Sequence, residues 1–121
     1  MGTDSAYWRG LIELISSTPV VLDRPRGTMH PRYADLIYPL DYGYLEKTSA
    51  GDGDGIDVWI GSSEEKTLTG ILCTFDKLKR DAEIKLLIGC TKEDIETILG
   101  FNNDMPTLFI PNPMVENDLS D

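Results

Sequence analysis

The run Gly51-Asp52-Gly53-Asp54-Gly55-Ile56-Asp57 limits this chain more than any other stretch. Glycine tolerates positive φ and lets backbone pack close, so the run reads as a loop that can turn its carboxylates toward one point. Three like charges within six residues repel one another unless cations sit among them. Hard oxygen donors select Mg²⁺, Mn²⁺ or Ca²⁺. An EF-hand does not fit. Ile56 stands at its fifth loop position, Asp57 replaces the required glycine, and Ser63 stands where the closing glutamate belongs. A solvated turn also suits the run, because Asp and Gly favour turns.

With 121 residues the chain is expected to be a single domain over 1–121. Acidic residues number 21 against 11 basic, a formal net charge of −10. Such a chain repels nucleic-acid phosphates and anionic membranes, so neither partner is expected. Divalent cations or a basic partner would be attracted. One histidine, His30, and two cysteines, Cys73 and Cys90, exclude a zinc site built mainly from His and Cys. No GxSxG accompanies His30, which reads as a loop histidine beside Pro31. Both cysteines lie in apolar runs and read as buried free thiols, which fits a cytoplasmic protein. Met1 to Ser17 lacks a signal-peptide pattern, and no apolar run is long enough to span a bilayer.

Apolar residues at helical spacing (Tyr7, Trp8, Leu11, Ile12, Leu14, Ile15) predict a helix over 5–16, stopped by Pro19. Its aromatic face is expected to form core or a homo-oligomer interface. Short strands are predicted at 19–22, 57–60, 68–75, 84–88 and 107–110, with a charged turn at 76–81. Thr91 and Asp94 form an acidic variant of the capping box, opening a helix over 92–99 that Gly100 closes. The acidic tail, Glu116 to Asp121, is expected to fray. Short strands with little helix suggest a small barrel or sandwich.

The segment Tyr38-Pro39-Leu40-Asp41-Tyr42-Gly43-Tyr44, followed by Asp52-Gly53-Asp54-Gly55-Ile56-Asp57-Val58, resembles the soluble family I inorganic pyrophosphatases. That family carries a YP-x-(N/D)-YG-(Y/F) element and then D-x-D-P-x-D-V. Asp23-Arg24-Pro25-Arg26-Gly27 is similar to its E-x-P-(K/R)-G segment, and Arg32-Tyr33 to its K-Y pair. The Phe75-Asp76 strand end and Glu83-Ile84-Lys85 resemble its second acidic hairpin. The likeness covers about residues 19–90. It implies a mainly β fold with α, a small OB-like five-stranded barrel with flanking helices.

The resemblance also implies roles. Asp52, Asp57 and Glu83 or Asp81 would hold Mg²⁺ (or Mn²⁺), with Asp76 and Asp23 holding further ions. Asp54 would take the proton from the attacking water. Lys85 and Arg32 would bind phosphate oxygens, and Tyr42 would hydrogen-bond near the nucleophile or phosphate. The sequence departs from the family in several places. Gly55 replaces a proline, and the 32–38 segment lacks the hairpin that carries a phosphate-binding arginine. No late Tyr-Lys pair is present. Arg24, Arg26 and Arg80 are the cations left to compensate. The expected activity is Mg²⁺-dependent hydrolysis of inorganic diphosphate. Hydrolysis of another phosphoanhydride, or a non-catalytic metal-binding or interaction domain of this fold, are the alternatives.

Overall fold

The computed structural model describes residues 2–51 and 53–115, with side chains from residue 4 onward. Among them the chain runs α1 (Gly2–Ser17), β1 (Val20–Arg24), β2 (Asp41–Leu45), β3 (Asp57–Ile60), β4 (Leu68–Asp76), β5 (Asp81–Ile88), α2 (Lys92–Phe101) and β6 (Thr107–Pro111). Asp52, expected as a metal ligand, and the tail Glu116 to Asp121, expected to fray, lie outside the described residues.

Strand β5 shows how the chain divides itself between two faces. Successive side chains on a strand point to opposite sides. Asp81, Glu83, Lys85 and Leu87 therefore share one face, and Ala82, Ile84, Leu86 and Ile88 share the other. Leu86 to Ile88 is buried on both faces, as is Val58-Trp59 on β3. That marks β3 and β5 as the middle of the sheet.

Sheet order is β1-β2-β3-β5-β4-β6. All pairings are antiparallel except β3 with β5, which is parallel. After β3 the chain skips one strand position to lay down β4. The β4–β5 hairpin then returns β5 into the gap. Its turn is tight: Asp76 faces Asp81, Asp76 Oδ1 accepts from the Leu78 and Lys79 N–H groups, and Arg80 adopts φ 60°. Strand β5 thus begins at Asp81, ahead of the expected 84.

The sheet is open, which corrects the expected closed or partly open barrel of about five strands. Closure would need β1 and β6 to pair. Each is five residues long, β1 runs into Pro25, and β6 is bracketed by Pro106 and Pro111. Proline has no N–H to give a neighbouring strand. The added strand is β2, hidden in the aromatic run because Pro39 and Gly43 blur its alternation.

Helix α1 covers one face. Trp8 packs with Leu45, Val58, Leu68, Ile71, Leu86 and Ile88, and Leu11, Ile12, Leu14 and Ile15 join them. The face expected as core or oligomer interface is therefore mostly core: Trp8 is 7% exposed, and Tyr7 remains outside. Helix α2 covers part of the other face through Ile95 and Ile98, which meet Tyr38, Leu40, Trp59, Leu72 and Leu87. The capping box forms as expected. Thr91 accepts from Asp94 N–H, and Asp94 accepts from Thr91 N–H. The helix runs through Gly100 to Phe101, where the Asn102 N–H closes it. Among the described residues no helix is long and apolar enough to cross a membrane.

Candidate functional site

The α2-covered face is apolar at one end and charged at the other. Tyr42 on β2 pairs with Trp59 on β3, two residues from Asp57. On β5, Lys85 follows Glu83 and Asp81 at two-residue steps. On β4, Thr74 and Asp76 stand beside Glu83 and Asp81. Apart from Asp57, these side chains line a cleft of about 210 Å³, rimmed by His30, Tyr38, Lys79, Phe101, Asn102 and Met105.

Lys85 joins the cleft's walls. Its ammonium donates to Tyr42 Oη at 2.7 Å and to Asp57 Oδ2 at 3.0 Å, and reaches Glu83 Oε1 at 3.5 Å. It also lies 5.3 Å from the Tyr42 ring centroid. Burial alone would lower the Lys85 pKa, but the Tyr42 oxygen and the Asp57 and Glu83 carboxylates outweigh it. The ammonium is held above the ordinary lysine range. Burial likewise raises the Tyr42 pKa, Asp57 adds to the effect, and Lys85 only partly offsets it. At neutral pH the pair is a phenol and an ammonium.

The structure brings Tyr42, Asp57, Asp76, Asp81, Glu83 and Lys85 to this face. It does not bring the other expected residues into the cleft. Asp54 is exposed in the glycine loop, where its carbonyl accepts from Ala50 N–H. Arg32 is exposed on the 28–37 segment. Asp23 is about half exposed, 4.0 Å from the Arg24 guanidinium. The register of β1 explains this last placement. Val20, Val21 and Leu22 pair with Leu45, Tyr44 and Gly43, but a bulge then sets Arg24 opposite Tyr42. In a regular ladder Asp23 would stand there.

Among the described residues no group of three carboxylate, imidazole or thiol side chains is placed to hold a metal. Two carboxylates, Asp57 and Glu83, do converge on one cation, the Lys85 ammonium. The donors in the charged half are oxygens, which suit Mg²⁺ or Mn²⁺. Asp41, part of the aromatic motif, faces away and accepts from Arg26 N–H at 2.8 Å, pinning the turn after β1.

Sequence reasoning read His30 only as a loop histidine and gave Lys79, Trp59 and Asn102 no role, yet all four line the cleft. Among the described residues, the buried donors Trp59 Nε1 and Asn102 Nδ2 have no hydrogen-bond partner. His30 carried no local signal. It reaches the cleft because an isolated bridge between Met29 and Ile37 folds its segment back, and its ring stacks on Tyr38 at 5.9 Å and 4°. Both cysteines are free. Burial and the nearby Asp94 charge push the Cys90 thiol up to about 12, so it is not a nucleophile.

A second cavity of about 670 Å³ adjoins the cleft and shares His30, Asp76, Phe101, Asn102 and Met105 with it. Tyr33, Leu36, Phe75 and Leu78 give it an apolar and aromatic lining. Compared with family models and with curated proteins, the chain matches none.

Proposed function

We propose that the protein is a Mg²⁺-dependent hydrolase of inorganic diphosphate. The observation that best supports this is the meeting of Tyr42, Asp57 and Glu83, from three strands, within 2.7–3.5 Å of the Lys85 ammonium. Diphosphate is a compact polyanion, and water is a poor nucleophile. A site for it needs fixed cations, a hydrogen-bond donor and carboxylates that hold metal. Asp57 and Glu83 would hold Mg²⁺, with Asp52 from the loop and Asp76 and Asp81 from the hairpin. Mg²⁺ bound there would neutralise phosphate charge and lower the pKa of a water. Lys85 would bind a phosphate oxygen, and the Tyr42 phenol would orient it. Asp54 would accept the water's proton from the loop, and Arg32 would attract the anion from its exposed place on the 28–37 segment. Asp23 would add a further carboxylate only by moving from its exposed position.

The adjoining 670 Å³ cavity favours a second reading, a phosphoanhydride that carries an organic group. The deciding experiment is phosphate release from diphosphate with and without Mg²⁺, beside a panel of nucleoside triphosphates and organic diphosphates. Release from diphosphate that requires Mg²⁺ is the expected result. Preference for an organic substrate would establish the second reading. No hydrolysis of any of them would make this a non-catalytic domain.

A further inference from the structure

We infer that the 670 Å³ cavity beside the cleft is a nucleobase pocket, and that the whole site takes a nucleoside di- or triphosphate, base in the cavity and phosphates in the cleft. The inference deepens the second reading above, an organic phosphoanhydride, and rests on it for the phosphate half of the site.

Inorganic diphosphate alone would leave this cavity empty. Small-molecule pockets measure about 300–1,000 Å³ and are mostly apolar, with a few polar groups set among the apolar ones. The fold exposes apolar surface at just such a place. Tyr33 (52% exposed), Leu36, Phe75 and Leu78 (95% exposed) all line the cavity and all remain open to solvent. Exposed apolar surface gathered in a hollow marks a binding site rather than scatter. Its walls are built from backbone hydrogen bonds. His30 Nδ1 accepts from Tyr33 N–H at 3.3 Å, His30 N–H donates to the Leu36 carbonyl at 2.8 Å, and Leu36 N–H donates to the Tyr33 carbonyl at 3.0 Å. The β4–β5 side is held by Phe75 N–H on the Pro106 carbonyl at 3.0 Å and by Leu78 N–H on Asp76 Oδ1 at 3.0 Å. A ligand therefore meets a pocket already formed, which lowers the ordering cost of binding.

The lining selects the chemistry of the occupant. Asp35, Asp76 and Asp104 stand against the single ammonium of Lys77, so the cavity disfavours an anion and suits the uncharged part of a ligand. An isoprenoid chain is uncharged, but it would desolvate Asp35, Asn102, Asn103 and Asp104 and pair with none of them. A nucleobase is uncharged and planar. Its faces pack on aromatic rings such as Tyr33, and its edge carries donors and acceptors for Asn and Asp side chains. Asn102 lines both the cavity and the cleft. Among the described residues its Nδ2 is a buried donor with no partner. Such a donor destabilises the empty site until an acceptor reaches it. Rotation of the amide offers it to a base oxygen or ring nitrogen at the junction. His30, Asp76, Phe101 and Met105 line both spaces as well, so one ligand can occupy the two together.

The test is calorimetric binding, with saturating Mg²⁺, of the non-hydrolysable α,β-methylene diphosphates of adenosine, guanosine, cytidine and uridine. Methylenediphosphonate, the same phosphonate without a nucleoside, is the reference. At least one nucleoside probe is expected to bind about 5–100-fold tighter than the reference, the scale of one base stacked on an aromatic ring. Ribose 5-(α,β-methylene)diphosphate, which lacks the base, should bind like the reference. Tyr33→Ala and Leu78→Ser should each remove most of the nucleoside advantage and leave methylenediphosphonate affinity within about 2-fold. Tyr33→Phe, which keeps the ring, should retain the advantage. Both side chains are exposed, so urea midpoints should stay close to wild type, and Leu36→Ala replaces either variant that does not fold. No nucleoside advantage, or one that survives both substitutions, overturns the pocket. If diphosphate is still hydrolysed, the diphosphatase reading then stands without it. An advantage that persists in the baseless probe assigns the cavity to the sugar and also overturns the proposal. A base-dependent advantage lost in Tyr33→Ala, in a protein that hydrolyses nothing, supports the pocket and sinks the hydrolase reading. A wild-type protein that binds none of the probes overturns the pocket.

Discussion

At Lys85 one ammonium meets a phenol and two carboxylates, with only 15% of its side chain exposed. Removing it leaves Asp57 and Glu83 as like charges in a half-buried place with no cation between them. Lys85→Met is therefore expected to lower stability by about 1–3 kcal/mol, less than a fully buried pair because both carboxylates keep some water. Urea denaturation would check this, and an unchanged midpoint would mean the pair contributes nothing net. Asp54 carries a different expectation. In its proposed role of proton acceptor rather than essential ligand, Asp54→Asn should lower turnover about 10²–10⁴-fold and leave Mg²⁺ affinity largely intact. Full activity in that variant would remove it from the reaction. The two residues also differ in how legible they were. Lys85 fell inside the expected strand 84–88, so it had a fixed place in the sheet. The aim of Asp54 depends on glycines on both sides, which allow many backbone paths.

Among the elements, α2 is the most clearly written, because its capping box is a local device. Asp94 accepts from the N–H groups of Thr91 and Ser62 and from the Ser62 hydroxyl, tying the helix start to the β3–β4 loop. Burial raises the Asp94 pKa, but these donors outweigh it and hold the carboxyl below its ordinary value. The unfolded chain then binds more protons near pH 3–4. This stabilisation is complete above the unfolded value of about 3.9 and is lost as pH falls through the folded one. Asp94→Ala should cost about 1–3 kcal/mol at pH 7 and much less near pH 2, read from urea midpoints at each pH. An equal cost at both would refute the assignment. Strand β1 depends on a close approach instead. A Cβ on Gly43 would overlap the Val21 carbonyl. Gly43→Ala should lower stability by about 2 kcal/mol or more. It should also disturb Arg24, which shares that strand pair. A wild-type melting curve would contradict this.

For the whole molecule, net charge of −10 makes divalent cations the natural counter-ions. Mg²⁺ at about 100 times its Kd should raise stability by about 2.7 kcal/mol. Thermal melts should show that gain in the wild type and lose most of it in Asp57→Asn. An equal gain in both would place the ion elsewhere. Local chemistry in the sequence was enough to determine the two helices, the capping box and the charged hairpin turn. Those depend on side-chain periodicity and on contacts a few residues apart. Only tertiary structure decided that β5 lies parallel to β3, that the sheet stays open, that α1 hides Trp8, and that Arg24 rather than Asp23 stands beside Tyr42. Strand neighbours are chosen by backbone hydrogen bonds, which are alike for every sequence, and by how two faces pack over the whole chain. A one-residue bulge leaves no periodic mark, yet it sets Arg24 instead of Asp23 opposite Tyr42.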